Sequence, residues 1–377
     1  MFKARTKPLI LHAVGARPNF VKVAPVMDAL DARADVEQLL VHTGQHYDRK
    51  MSDEMFSDLG LPQPDHYLGV GSGPHGAMTG RVLEHFEAIL LERRPDAVVV
   101  PGDVNSTLAC GLAAVKLGIP VAHIESGLRS GDWTMPEEIN RVLTDQLSDL
   151  LFTHSPEAAE HLAAQGVAAE RVHAVGNTMI DSLRRFTPLA AGRRLWEAHG
   201  LAPGAYVLVT LHRPSNVDAL ERLGPIVEQL CALAARHPVL FPIHPRTRAR
   251  LQDAGLLAQL EASGVDCTGP VGYVDFLSLM FGAGAVLTDS GGVQEETTGL
   301  GVRCFTFRPS TERPVTITHG TNTLIGDDPA AIAQVRPAPR REPPEIAGWD
   351  GRAGERIADL LIDHLATDQP ATADVLV

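Results

Sequence analysis

The chain has 377 residues, of which 44% are hydrophobic and 21% charged, and its formal net charge is -13 at pH 7. That length exceeds one ordinary core and predicts two domains, and the balance is that of a compact soluble protein, excluding a disordered one. The acidity excludes a general nucleic-acid binder, which needs clustered Lys and Arg to displace counterions, so any anionic ligand must meet local positive charge.

In chain order, the start "MFKARTKPLILHAVG" is basic and then apolar, but the run is short and has no small-residue cleavage site, so it reads as a first buried strand. Nothing reaches the roughly 18 apolar residues of a membrane span. Further apolar runs follow at "QLLVHTG", "DAVVVPGD", "PVAHIES", "DLLFTHS" and "VHAVGN", with amphipathic stretches between them. This alternation is that of parallel strands joined by helices. It breaks near "DSLRRFTPLAAGRR", residues 181–194, and resumes with "YVLVTLH", "VLFPIHP", "AVLTDS" and "RCFTF". Two doubly wound sheets in series are expected, in domains 1–182 and 183–350. The Pro-rich stretch "RPAPRREPPEI", 336–346, reads as a linker. A closing helix with apolar positions Ile357, Leu360, Leu361 and Leu365 lies within 351–377. Cys110, Cys231, Cys267 and Cys304 form no CxxC pair, which speaks against a zinc knuckle or disulfide framework and fits a reducing cytoplasm.

The polar residues of interest fall at the carboxyl ends of predicted strands, where open α/β sheets bind ligands. They are Arg17, Asp103, Glu125, His212, His244 and Ser290. In "LTDSGGVQEE", Ser290 precedes two glycines at a helix start, where free N–H groups and the dipole favour an anion. Capping and ligand roles stand level there, and the absence of a G-x-S-x-G elbow argues against a nucleophile. "GSGPHG", 71–76, matches G-x-G-x-x-G only formally, since no buried strand leads into it. Asp103 and Glu137 each have an ordinary reading as a helix cap and a first-turn acid. Taken together, Asp103, Glu125 and Glu137 beside His212, Arg17, Lys22 and Arg313 suit acid and base chemistry on an anionic substrate. No ligand spacing supports a metal site.

The segments "GARPNFVKVAPV", "TGQHYD", "PGDVNST", "HIESGLRS", "MPEEINR", "TLHRPSN" and "LTDSGGVQEE...TERP" occur in an order and spacing similar to bacterial UDP-N-acetylglucosamine 2-epimerases of the non-hydrolysing type, over residues 8–326. The resemblance implies a GT-B architecture, with two Rossmann-like domains, the active site in the cleft between them, and a homodimer. It implies a UDP-sugar substrate, no NAD and no obligate metal, and neither a nucleic-acid nor a membrane partner. Residue by residue, it implies that Ser290, Gly291 and Gly292 bind the diphosphate and that Glu296 holds the ribose. Arg17 and Arg313 would supply positive charge near the phosphates, Lys22 also falls on a family site position, Phe276 matches a position whose backbone meets the uracil, and His244 lies where the family has a cleft histidine. Asp103, Glu125 and Glu137 would be the acid and base set, with His212 stabilising the departing diphosphate. Gln45, His46 and Arg213 match positions associated in some members with a second, allosteric substrate molecule. The segments "HRPSN" and "QHYD" depart from the commoner family pattern, as they also do in relatives that epimerise diacetamido uronic acids. A hydrolysing epimerase and a GT-B glycosyltransferase are the rival readings.

Overall fold

The computed structural model describes residues 5–33, 35–44 and 59–367. The chain divides into two compact units, Met1–Ser182 with Ala347–Val377, and Leu183–Ile346.

The first unit is built on strands β1 (Leu9–Val14), β2 (Glu37–His42), β3 (His66–Tyr67), β4 (Ala97–Pro101), β5 (Val121–Ile124), β6 (Leu150–Thr153) and β7 (Val172–Ala174). Its helices are α1 (Arg17–Asp31), α2 (His75–Arg93), α3 (Asn105–Lys116), α4 (Pro136–Leu147), α5 (Pro156–Ala164) and α6 (Thr178–Arg193), the last running on into the second unit. The strands pair in parallel in the order β3-β2-β1-β4-β5-β6-β7. Successive side chains of a strand point to opposite faces, and β1 feeds two cores accordingly. Leu9, Leu11 and Ala13 pack with Phe86 and Leu90 of α2 and Ala113 of α3, while Ile10 joins Val99, Ile124, and Val26 and Leu30 of α1. Because both faces are covered, the central strands read as near-continuous apolar runs.

The second unit carries β8 (Val207–Thr210), β9 (Val239–Pro242), β10 (Val265–Thr268), β11 (Ala285–Thr288), β12 (Arg303–Thr306) and β13 (Asn322–Leu324). Its helices are α7 (Pro214–Val217), α8 (Leu220–Ala234), α9 (Pro245–Asp253), α10 (Leu256–Ala262), α11 (Tyr273–Gly282), α12 (Gly291–Leu300) and α13 (Val315–Thr318). The order is β10-β9-β8-β11-β12-β13, again parallel. Val207, Val209, Phe241 and Leu287 pack on Ile226 and Leu230 of α8. Residues 336–346 form neither helix nor strand, but they are strapped to this unit. The Ala338 N–H donates to the Gly284 carbonyl at 3.0 Å, that of Arg341 to the Gly301 carbonyl at 2.9 Å, and the Arg340 guanidinium lies 4.0 Å over the Phe281 ring. A side chain at Gly301 would put its Cβ 2.1 Å from the Arg341 carbonyl oxygen, so only glycine admits the strap there.

Helix α14 (Ala353–Thr367) returns to the first unit, burying Ile357, Ala358 and Leu361 in the core that holds Ile10, with Leu360 and Leu365 partly buried beside them. Its first turn is held by Asp181, whose carboxylate accepts the Gly354 N–H at 2.7 Å. Burial raises the Asp181 pKa to about 6. The folded protein therefore binds this proton more tightly than the unfolded chain, and the stability involved is present below about pH 4 and lost as pH rises to about 6. Asp181→Asn keeps an acceptor oxygen without the buried charge. We expect it to gain on the order of 2 kcal/mol, or several degrees in Tm, above pH 6. That gain should shrink to nothing in melts at pH 4.

Among the described residues no helix is long and apolar enough to cross a membrane. Strand order reverses between β1 and β4 in one sheet and between β8 and β11 in the other. At such reversals the loops diverge to opposite faces and leave a crevice at the strands' carboxyl ends.

Candidate active site

At the first reversal the loops after β1, β4 and β5 converge. The Asn19 side chain of α1 accepts the Gly15 and Ala16 N–H groups at 3.0 and 2.9 Å and donates to the Pro101 carbonyl at 2.9 Å, tying the ends of β1 and β4 together. Arg17 opens α1, half-buried. One turn on, Lys22 is buried in an ion pair with Glu125, which follows β5. Glu125 has φ +69°, a left-handed conformation that costs a residue with a Cβ on the order of 1–3 kcal/mol. Gly102, at φ +70°, makes room for the pair, because a Cβ there would lie 3.0 Å from Lys22 Nζ and 3.6 Å from Glu125 Oε2.

Asp103 does not cap α3. The N-cap position is Val104, without a side-chain bond, and the Asp103 carboxylate is instead gripped by the buried guanidinium of Arg141 from α4. The other end of that guanidinium donates to Glu138 at 2.6 Å. Glu138 also accepts the N–H groups of Ser130 and Gly131, both at 2.9 Å, and so is consumed in shaping the loop before α4. Its neighbour Glu137 is half-buried and has no hydrogen bond or ion pair among the described residues. Two adjacent glutamates thus have separate fates: Glu138 builds and Glu137 stays available.

Beneath these groups the wholly buried His123 of β5 is held at both ring nitrogens, 2.7 Å from Asp145 Oδ1 and 2.8 Å from the Gly102 carbonyl. Asp145 is also ion-paired with Arg129 at 2.7 Å. None of these three residues stands out in the sequence.

At the second reversal, Ser290 occupies the N-cap position of α12 but makes no capping bond with its side chain. Its N–H donates to Thr288 Oγ1 at 2.9 Å, and the first-turn N–H groups of α12, like those of any helix, have no partner within the helix. Gly291 is needed here for a reason other than ligand approach: a Cβ would fall 2.4 Å from Arg313 Nη1 and 2.8 Å from Glu312 Oε1. We expect Gly291→Ala to displace Arg313, costing about 1–3 kcal/mol of stability in denaturant melts. Arg313 is itself ion-paired with Glu312 at 2.5 Å and Glu295 at 2.9 Å, while Arg308 shares Glu312 at 2.8 Å. Its charge near the helix start is therefore largely balanced by protein carboxylates. Glu296 is buried one residue beyond Glu295, and Gly292 lies in the same first turn.

His212, after β8, is half-exposed, with its ring Nδ1 3.2 Å from the fully buried Asp289. The His244 ring lies 5.9 Å from it, at the N-cap of α9, where it accepts the Arg246 N–H at 3.3 Å. Arg213 donates from Nε to the Asp289 carbonyl at 2.9 Å. Phe276 lies in α11 with its own N–H donating to the Gly272 carbonyl at 2.9 Å. Gln45 and His46 lie outside the described residues. Among the described residues, no group of three or more His, Cys, Asp or Glu side chains is placed to hold a metal ion.

A family model described as UDP-N-acetylglucosamine 2-epimerase matches residues 28–362. A protein of Methanocaldococcus jannaschii, UDP-N-acetylglucosamine 2-epimerase, is 40% identical over 357 residues, covering 92% of this chain and 97% of that protein. A Pseudomonas aeruginosa protein, UDP-2,3-diacetamido-2,3-dideoxy-D-glucuronate 2-epimerase, is 44% identical over 321 residues, covering 84% and 88%. The crystal structure of the Methanocaldococcus jannaschii UDP-GlcNAc 2-epimerase in complex with UDP-GlcNAc and UDP is similar with a TM-score of 0.86 at 38% identity, covering 94% of this chain and 99% of that one. Matched along nearly its whole length, and with two parallel sheets whose order reversals carry the carboxylates and the open helix start, the chain belongs to the UDP-N-acetylglucosamine 2-epimerase family of non-hydrolysing type, and is an isomerase of GT-B architecture.

Proposed function

We propose that the protein interconverts UDP-N-acetylglucosamine and UDP-N-acetylmannosamine by elimination and re-addition of UDP. The observation that carries this reading is the set of three carboxylates at one sheet reversal in three different settings: Glu125 against Lys22, Asp103 against Arg141, and Glu137 without a side-chain partner among the described residues. The C2 proton of the sugar is not acidic while C1 is saturated. Breaking the C1–O bond sends its electron pair away with UDP and leaves an oxocarbenium-like centre that acidifies C2. A carboxylate then takes the C2 proton, giving 2-acetamidoglucal. Return of a proton to the opposite face of C2, with attack of a UDP oxygen on C1, completes the epimer. Both faces of the ring need an acid or base, which is why several carboxylates serve one carbon. Ser290, the first turn of α12 and His212 hold the diphosphate that leaves and comes back. Lys22, Arg17 and Glu296 complete the substrate contacts.

A second reading keeps the chemistry and changes the sugar. The Pseudomonas aeruginosa relative favours a diacetamido uronate.

Incubation with each UDP-sugar in deuterated water, followed by NMR, separates these readings. Deuterium at C2 in a mixture of gluco and manno UDP-sugars is the expected result with UDP-N-acetylglucosamine. Exchange with the diacetamido uronate alone selects the second reading. Release of free sugar only would move the protein to a hydrolysing reaction, and inertness towards both sugars would defeat the proposal.

A further inference from the structure

Asp289 is fully buried, yet the contacts of its carboxylate run to one short piece of chain. Oδ2 accepts the Arg213 N–H at 2.9 Å and the Asn216 side-chain amide at 3.0 Å, and both oxygens lie 3.1 Å from the His212 N–H. The ring Nδ1 of His212 is 3.2 Å from Oδ1, and among the described residues His212 is the one ion-pair partner of this carboxylate. Asp289 immediately precedes Ser290, the N-cap position of α12. One buried side chain therefore binds the loop after β8 to the start of the helix that faces the diphosphate in the proposed function.

An ionised carboxylate only accepts hydrogen bonds, so with Nδ1 3.2 Å from Asp289 Oδ1, the carboxylate favours the tautomer that carries hydrogen on Nδ1. The ring's other nitrogen is then presented on its opposite edge, and the His212 side chain is 40% exposed. Among the described residues, the charged or titratable groups in contact with the ring are Asp289 and His244, and Arg213 Nε donates to the Asp289 carbonyl.

We propose that Asp289 is a positioning residue for the reaction, fixing the His212 ring with Nδ1 turned inward and Nε2 presented to the leaving diphosphate. The inference rests on the role given to His212 above. It needs no new bond, since the carboxylate acts by holding one tautomer and one ring orientation.

The test uses the full-length protein labelled with 15N-histidine, with the His212→Asn spectrum assigning the resonance. At alkaline pH the neutral His212 ring is expected as the Nδ1–H form in the wild type and as the Nε2–H form in Asp289→Asn. An Nε2–H form in the wild type overturns the proposal, and that measurement stands even if the variant fails to fold. In kinetics, Asp289→Asn is expected to lower kcat by about ten- to hundredfold with the calorimetric Kd for UDP within about twofold. An unchanged kcat, or a parallel loss of UDP binding as from a merely structural residue, overturns it. The two proposals fail separately: a wild type inert towards every UDP-2-acetamido sugar defeats the functional reading while the tautomer measurement still decides this one.

Discussion

Glu137→Gln is expected to reduce C2 exchange by about 10²–10⁴-fold, the usual worth of a positioned acid or base, while UDP affinity stays within a few-fold of wild type. The Glu137 side chain has no partner among the described residues, so in the proposed reaction the amide removes a proton-transferring group and breaks no side-chain contact among those residues. Its neighbour supplies the control. Glu138→Gln removes the charge that pairs with Arg141 and accepts the Ser130 and Gly131 N–H groups, so its first effect should be a lowered Tm. Retained exchange in Glu137→Gln would remove this residue from the chemistry.

Lys22→Met should show the opposite pattern. The Lys22–Glu125 pair is almost wholly buried, and removing one member takes the buried counter-charge from the other, at a cost of about 3–5 kcal/mol. Glu125 already holds a left-handed backbone conformation, and Lys22 is the buried counter-charge of its carboxylate. Denaturant melts should therefore show a large loss for Lys22→Met, and for Glu125→Gln alone. The double variant should recover most of that stability and remain inactive. A double variant as unstable as either single one would mean that packing of the lysine stem matters more than the charge pair.

The sheets are readable in the sequence wherever both faces are covered. β4, β8, β9 and β11 are apolar runs, and β1 and β5 are apolar apart from one buried histidine each, because all are buried on both sides. The strands that such runs do not announce are β3, β10 and β13, and each lies at the edge of its sheet. His66–Tyr67, Val265–Thr268 and Asn322–Leu324 carry polar or half-exposed residues and are short, which is how edges avoid pairing with another chain.

The site is readable to a similar depth. Strand-end position marks Asp103, Glu125, His212 and Ser290, because the place of a loop in a doubly wound sheet follows from chain order. What each side chain touches does not follow from it. Arg141, which divides its guanidinium between Asp103 and Glu138, sits three residues after Glu138, a spacing that signals a helical ion pair. The grip on Asp103 spans 38 residues and has no local signal. His123, Asp145 and Asp289 are hidden for the same reason, since burial of a polar residue inside a strand or at its end appears only once the partners are in place.

The return of α14 to the first sheet sets an order on synthesis. Leu183–Ile346 is one uninterrupted stretch and holds a complete sheet as soon as it leaves the ribosome. The unit that begins the chain is different: the face of its sheet bearing Ile10, Val99 and Ile124 lacks part of its cover until Ile357, Ala358 and Leu361 have been made. Domains usually mature from the amino terminus onward. Here the unit made earlier is finished after the one made later, and its apolar face stays partly uncovered until the helix that closes it has been made.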